Sequence, residues 1–368
     1  MAMYIVKPWY RKKDDAIYGA EWAGTSDPSW VRTDAAVGFA NPNPYYSGMS
    51  TTPSSPFDNI MPWAGIRRVT DASAGKLVEI PKFYYKWTRD GVKMKLQISM
   101  SQFDGSHVSP AHADRGDGVG ERDYVYVGRY HCASDYKSKT GVSPVTRSTR
   151  NTYRSGIHNL GSNIWQYDYA MLWTISMLYL VEYASWDCQA KIGFGCGSPG
   201  TVGDTDNMPY HTGTMQSNKS TYAKGVQYRY IEGLWDNKLD WVDGINFSGT
   251  DVYCQKNPSL FSDGNNNYVK VGTRPSTSGY SIKSWTEPQV AGYEWALHPK
   301  TIEGNSGQYI TDGYDYNSNG TLMCVGGYVG NHPCYGMFYM YEAYTYNSYG
   351  DTVVSCRLMV LPPSRLSA

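Results

Sequence analysis

The chain has no C-x-x-C pair, no apolar run long enough to cross a bilayer, no polybasic tract and no excess of either charge sign. Each absence removes a class of function. Lys plus Arg equals Asp plus Glu at 33 each over 368 residues, so no net field draws the chain to nucleic acid or to an anionic membrane surface. Residues 169–184 form the longest apolar stretch, but Thr174, Ser176 and Glu182 interrupt it. It is too short to span a bilayer, and a buried helix is expected instead. The opening MAMYIVKPWYRKKDDA has no apolar leader core, which predicts synthesis in a cytoplasm without a secretory leader. The cysteines (132, 188, 196, 254, 324, 334 and 356) are odd in number and lack zinc spacing, so buried free thiols are expected.

What the chain does have is 34 Tyr, 12 Trp and 38 Gly against only 18% charged residues. That mixture suits short strands, turns and aromatic surfaces better than long solvated helices. Tyrosine also offers a broad rigid contact area and a hydroxyl at low entropic cost, as binding surfaces require.

Residues 1–58 are rich in Pro, Gly, Ser and Asn with no sustained period, which predicts an irregular docking segment before a main domain over 59–368. Strands are expected at IRRVT, KLVEIPKFYYKWT and VKMKLQISM, separated by the turn sequences DASAG and RDG. A polar loop over 104–122 then leads to a strand in DYVYVGRYHC. Two helices follow. The first is predicted from about Ser148 to Leu160, capped by Thr146 or Ser148, and the second opens at the acidic Asp168 with a broad apolar face. The second should be the most buried element of the chain. Beyond Ala184 the pattern is one of short strands and long loops, so the class is α+β weighted toward β.

The segment YRYIEGLWDNKLDWVDG, Tyr228 to Gly244, puts Trp235 and Trp241 on either side of an Asp236-Asn237 turn. Taken by itself, it is a turn pinned by two buried tryptophans. It also resembles the G-L-x-x-x-x-G-N-V-W-E-W-x-x-D segment of the formylglycine-generating and sulfatase-modifying family. Here Asp236-Asn237 stands for the Gly-Asn, and Asp240 for the Glu. The helix pair, the Gly326-Gly327 pair and the closing Cys356-Arg357-Leu358 strand fall in matching order, so the likeness covers about residues 60–363. It implies an α+β, C-type-lectin-like fold of the sulfatase-modifying type, with two helices plus many short strands and long loops. Enzymes of that family hold copper with two cysteines that have four residues between them. Here Cys324 and Cys334 have nine residues between them, so the copper-dependent oxidase reading is set low and no enzymatic activity is carried over.

The closing block replaces that metal motif with tyrosine. Between residues 328 and 349 seven of 22 residues are Tyr, a density several times that of the chain. The block resembles the variable region of proteins diversified by retroelements, of which phage tropism determinants are the known type, with a variable region here at about 321–361. The resemblance implies a ligand surface made by Tyr328, Val329, Asn331, His332, Pro333, Cys334, Tyr335, Tyr341, Glu342, Ala343, Tyr344 and Tyr346. Gly326, Gly327, Gly330, Gly336, Phe338 and the strand from Cys356 to Leu361 would be fixed scaffold, and strand alternation should bury Phe338 and Met340.

By the same likeness the chain is expected to bind a host cell-surface protein or glycan from a virion tail tip. Its N-terminal segment would dock to a tail or baseplate protein, and a homo-oligomer, taken as a trimer, would gain avidity. The alternative is a diversified binding protein on a bacterial cell surface. No cofactor is expected. His107, His112 and His131 lie near Asp104, Asp114, Asp117 and Asp123 without a ligand spacing. DGVGERD and GDTDN are oxygen-rich, yet neither has the full register of a calcium loop, so structural calcium stays a weak expectation. His158 with Arg147, Arg150 and Arg154 is expected to form a polar helix face.

Overall fold

The computed structural model describes residues 15–46, 52–195, 206–214, 225–305, 307–327, 334–344 and 352–366. Among these, strands predominate and three α-helices occur, so the chain is α+β weighted toward β. Helix α1 is Arg150–His158, α2 is Tyr169–Tyr183 and α3 is Cys188–Ile192.

Helix α2 is the centre of the core, and all 15 of its residues are buried. A helix apolar on every side is a core helix, not an amphipathic one, so the broad apolar face expected from the sequence is in fact the whole circumference. Asp168 caps it by accepting from Met171 N at 2.8 Å, and Ala184 ends it in the left-handed region at φ +50°. Two of its polar residues, Thr174 and Glu182, are tied to other elements. Thr174 Oγ1 donates to Ala170 O at 2.8 Å and accepts from Ala111 N at 2.9 Å. Glu182 is bound by Ser55 Oγ at 2.6 Å, Tyr228 OH at 2.9 Å and Arg229 Nε at 3.0 Å. A lone buried carboxylate would be costly, and the cation with two hydroxyls offsets that cost.

Mainly antiparallel sheets surround α2. One has the order Trp30–Asp34, Tyr18–Trp22, Lys93–Ser99, Tyr84–Asp90, His107–Val108. A second runs Ile164–Gln166, Leu358–Val360, Tyr124–Gly128, Gly75–Pro81, Arg67–Asp71. The largest has seven strands with Leu239–Ser248 near its middle, flanked by Asp251–Cys254 and Gly320–Val325. Met340–Tyr344 continues it beyond Gly320–Val325, and Val354–Ser355 pairs in parallel with Leu239–Ser248. The strands expected over residues 66–100 and in DYVYVGRYHC are present.

The packing overturns three expectations. Within the stretch expected to be irregular, the described residues Tyr18, Ala20, Trp22, Trp30 and Phe57 are core residues, and Tyr18–Trp22 is an interior strand. Strands five residues long among prolines leave too short a run for their period to register. Residues 1–14 lie outside the described residues. Next, α1 starts at Arg150 with Thr149 as cap, its side chain accepting from Thr152 N at 3.2 Å, so neither Thr146 nor Ser148 caps it. Finally α3, capped by Asp187, is one turn too short for sequence periodicity to reveal.

The face of α1 expected to be polar and solvated is partly buried as well. Arg150 is fully buried and donates to Val242 O, Ile245 O and Ser262 O, each at 3.0 Å, and to Asn246 Oδ1 at 2.6 Å. Arg154 reaches Asp243 at 2.5 Å and Asp263 at 2.7 Å. His158 stacks on Trp165 with ring centroids 4.0 Å apart. The tryptophan-pinned turn is present: Asp236 and Asn237 adopt φ +53° and +98°, while Trp235 Nε1 donates to Gly193 O at 3.0 Å and Trp241 Nε1 to Ser148 O at 3.3 Å.

His112 is fully buried between Ile80 O at 2.9 Å and Ser109 Oγ at 2.7 Å. A carbonyl can only accept, so Nε2 carries the proton and Nδ1 accepts the serine hydroxyl. Burial holds this imidazole neutral, pushing its pKa down to about 3. A histidine pKa lowered by folding adds stability that is present above about pH 6.5 and lost as the pH falls toward 3, at about 1.4 kcal/mol per pH unit. Urea unfolding of the wild type and His112→Gln should therefore show a stability gap that narrows from pH 6.5 downward. A gap independent of pH would mean that His112 takes up its proton equally in both states.

Candidate ligand-binding surface

The tyrosine-rich block leaves the scaffold through Gly326 and Gly327, at φ +89° and +60°. A Cβ on Gly326 would lie 2.4 Å from Leu234 O, and one on Gly327 2.2 Å from Tyr335 O, so only glycine lets the backbones approach this closely. Asp312 then fixes the far side. Its fully buried carboxylate accepts from Gly336 N and Phe338 N, each at 2.8 Å, and a Cβ on Gly336 would strike it at 2.5 Å. Burial pushes the Asp312 pKa well up, while the two amides pull it back. Phe338 packs edge-on against Trp186 with centroids 4.9 Å apart, which ties the block to the tryptophan cluster around α2.

From there Met340–Tyr344 pairs with Gly320–Val325 in antiparallel register, Tyr341 opposite Cys324 and Glu342 opposite Met323. Phe338 and Met340 are buried, as alternation predicts, but Met337 and Tyr339 are buried too. The hydroxyl of Tyr339 donates to Asp315, and its ring meets Tyr335 edge-on at 4.8 Å. The segment is thus covered on both faces over 337–340.

This burial corrects part of the expected ligand set. Cys334 is 2% exposed, and Glu342 and Ala343 are 0% exposed, so none of the three presents a side chain to solvent. Glu342 pairs with Arg274 at 2.9 Å and accepts from Asn317 N at 3.2 Å. Its burial, relieved only partly by Arg274, pushes its pKa up to about 8. Arg274 in turn lies against the rings of Phe247 and Tyr316, 4.8 and 4.9 Å from their centroids. Ala343 fills the smaller core beside Leu322 and Tyr339. Of the twelve, Tyr335 and Tyr341 are half-buried and keep an accessible part. Tyr344 belongs to the strand, and Tyr328, Val329, Asn331, His332, Pro333 and Tyr346 lie outside the described residues.

Arg357 secures the closing strand. It is fully buried and donates to Asp240 Oδ2 at 3.0 Å and to the carbonyls of Gly128, Arg129, Glu232 and Gly233 at 2.8–3.3 Å. Asp240 is pushed up to about pH 6 by burial, with Arg357 opposing. Sequence reading placed Asp240 and Arg357 in the scaffold. It missed Asp312 and Arg274, because a single acidic or basic residue in a loop or strand end carries no period to mark it as buried.

The remaining candidates are engaged within the fold. Asp117 of DGVGERD binds Arg122 at 2.5 Å, and Asp206 of GDTDN binds Lys76 at 2.5 Å and Arg129 at 2.8 Å. His131 lies 3.5 Å from Asp240, and burial with Arg357 lowers its pKa well below the usual value. Among the described residues no group of three His, Cys, Asp or Glu is arranged to hold a metal ion, and no helix is long and apolar enough to cross a membrane. The six described cysteines are buried and none joins another in a disulfide. No protein-family model matches the chain, and no curated protein matches it in sequence.

Breaking a buried ion pair from one side leaves an uncompensated charge at a cost of about 3–5 kcal/mol. Glu342→Ala should lose that much in urea unfolding at about pH 9, above its raised pKa, whereas Tyr341→Ser should lose about 1 kcal/mol. Equal losses would mean that Glu342 is not held by Arg274.

Proposed function

We propose that the chain is a receptor-binding protein with a C-type-lectin-like fold of the sulfatase-modifying type, recognising a host cell-surface protein or glycan through its tyrosine-rich C-terminal block at a phage tail tip. The observation that carries this reading is the way the block is held. Glycines 326 and 327 fix its start, Asp312 and Trp186 fix its middle, and Arg357 fixes the strand after it. Such anchoring lets side chains between the fixed points change with little effect on folding, since exposed substitutions away from packing usually shift stability by only about 0.5 kcal/mol. Rigid aromatic side chains on a fixed frame also lose little entropy on binding.

On this reading the ligand surface is Tyr328, Val329, Asn331, His332, Pro333, Tyr335, Tyr341, Tyr344 and Tyr346, with Cys334, Glu342 and Ala343 as support. Recognition is non-covalent and the protein acts as a trimer, whose avidity offsets weak single sites. A bacterial cell-surface binder would use the same residues in the same way.

Tyr335→Ala and Tyr344→Ala should each lower adsorption to susceptible cells by about 5- to 30-fold, the effect of losing about 1–2 kcal/mol of contact, with the thermal midpoint held within a few degrees. Unchanged adsorption by the folded double variant would reject this surface as the receptor site. A light-scattering mass of one chain would reject the trimer.

A further inference from the structure

Apart from the tyrosine-rich block, a cleft opens between the strand Tyr84–Asp90, the short strand His107–Val108 and the connection from Thr286 to His298. It consists of two hollows of about 310 and 230 Å³ that share Tyr85, His107 and Glu294 in their walls. Trp87 lines the first hollow and Trp295 the second. Both rings are held from behind. Trp87 is half-buried, edge-on to Trp173 at 6.4 Å and tilted against Trp30 at 6.3 Å. Trp295 is 5% exposed and donates from Nε1 to Gly292 O at 3.1 Å.

The polar groups of the cleft have unused hydrogen-bonding capacity. Tyr85 is 1% exposed, yet its hydroxyl makes no hydrogen bond to any described residue. Burial, with the carboxylates of Glu294 and Glu287, pushes its ionisation well up, and all three residues line the first hollow. Glu287 gives one oxygen to Arg89 Nε at 2.9 Å, and Glu294 gives one to Gly292 N at 3.0 Å. The second oxygen of each has no bond to a described residue. The second hollow is of mixed charge: Asp114 and Glu121 line it beside Lys256, and Glu121 lies 3.5 Å from Lys82. Arg115, in the same wall, is already paired with Asp168.

This combination selects among ligand chemistries. The first hollow has Glu287 and Glu294 and no lysine or arginine in its lining, which disfavours an anion there. An ammonium ion would satisfy the carboxylates but brings no acceptor for the Tyr85 hydroxyl. A neutral sugar ring carries hydroxyls that donate to Glu287 and Glu294, oxygens that accept from Tyr85, and an apolar face to lie on a fixed aromatic ring. Hollows of this size, walled by aromatics with a few convergent polar groups, are of the kind that take small ligands.

We propose that this cleft is a second binding site, taking a neutral hexose or N-acetylhexosamine unit of a glycan against Trp87, with Tyr85, Glu287 and Glu294 as its hydrogen-bonding partners. The site shares no residue with the tyrosine-rich block and stands whether or not that block binds a receptor.

Saturation-transfer NMR on the full chain tests it. The probes are methyl glycosides of glucose, galactose, mannose and N-acetylglucosamine, with sialic acid and tetramethylammonium as charged controls. At least one neutral glycoside should bind, and both charged probes should not. Tyr85→Phe and Glu294→Gln should each weaken that binding about five-fold, as expected for one lost hydrogen bond, without moving the thermal midpoint. Tyr335→Ala should leave it unchanged. The proposal is overturned if no neutral glycoside binds, if only tetramethylammonium binds, if both cleft variants bind as the wild type does, or if Tyr335→Ala abolishes binding.

Discussion

A single buried guanidinium, that of Arg357, fixes how the closing strand meets the middle of the chain. It reaches one carboxylate and four backbone carbonyls, so that the last strand, the strand at Tyr124–Gly128, the turn at Glu232–Gly233 and the central strand at Asp240 converge on one side chain. Arginine alone among the side chains offers five N–H donors in a planar fork that stays charged. The neighbouring backbone continues the closure. Cys132 N donates to Cys356 O at 2.8 Å, Tyr167 N to Arg357 O at 2.8 Å, and Leu358–Val360 lies between Ile164–Gln166 and Tyr124–Gly128. The described stretch 334–344 therefore lies between two parts of a fixed frame, the Gly326-Gly327 pair and the closing strand.

That frame contains more buried charge than its composition suggests. Glu182 with Arg229, Asp243 with Arg150 and Arg154, Asp168 with Arg115, and Glu342 with Arg274 are all ion pairs with at least one partner fully buried. Such pairs add little net stability compared with well-packed apolar residues, but they are costly to break from one side. They act as registration points between elements far apart in sequence, and the Glu342–Arg274 pair ties the tyrosine-rich block itself to the strand end at Arg274.

Patterns with a period were legible in the sequence. The strands over residues 66–100, the span of α2 with its Asp168 cap, and the turn between Trp235 and Trp241 each rest on alternation, helical spacing or capping chemistry within a short window. Tyr18–Trp22 was not legible, because five residues flanked by Pro- and Gly-rich stretches give no period. The burial of Glu342 and Ala343 was not legible either. Tyrosine crowding signals exposure, yet strand pairing with Gly320–Val325 and the partner Arg274, 68 positions earlier in the chain, override it. Tyr85 and Trp87 read as an ordinary strand face, since nothing local shows that the connection near Glu287 and Glu294 comes back opposite them.

The central claim is that a fixed frame presents an exchangeable tyrosine-rich surface, and it is tested most directly by sequencing this gene across a natural population and counting substitutions codon by codon. Changes should crowd into codons 328, 329, 331–333, 335, 341, 344 and 346, beside a near-copy of the segment with adenine at those positions. They should spare Gly326, Gly327, Cys334, Gly336, Glu342, Ala343 and Arg357. Substitutions spread evenly along the chain, or falling as often on Glu342 and Gly336 as on Tyr335 and Tyr344, would contradict it.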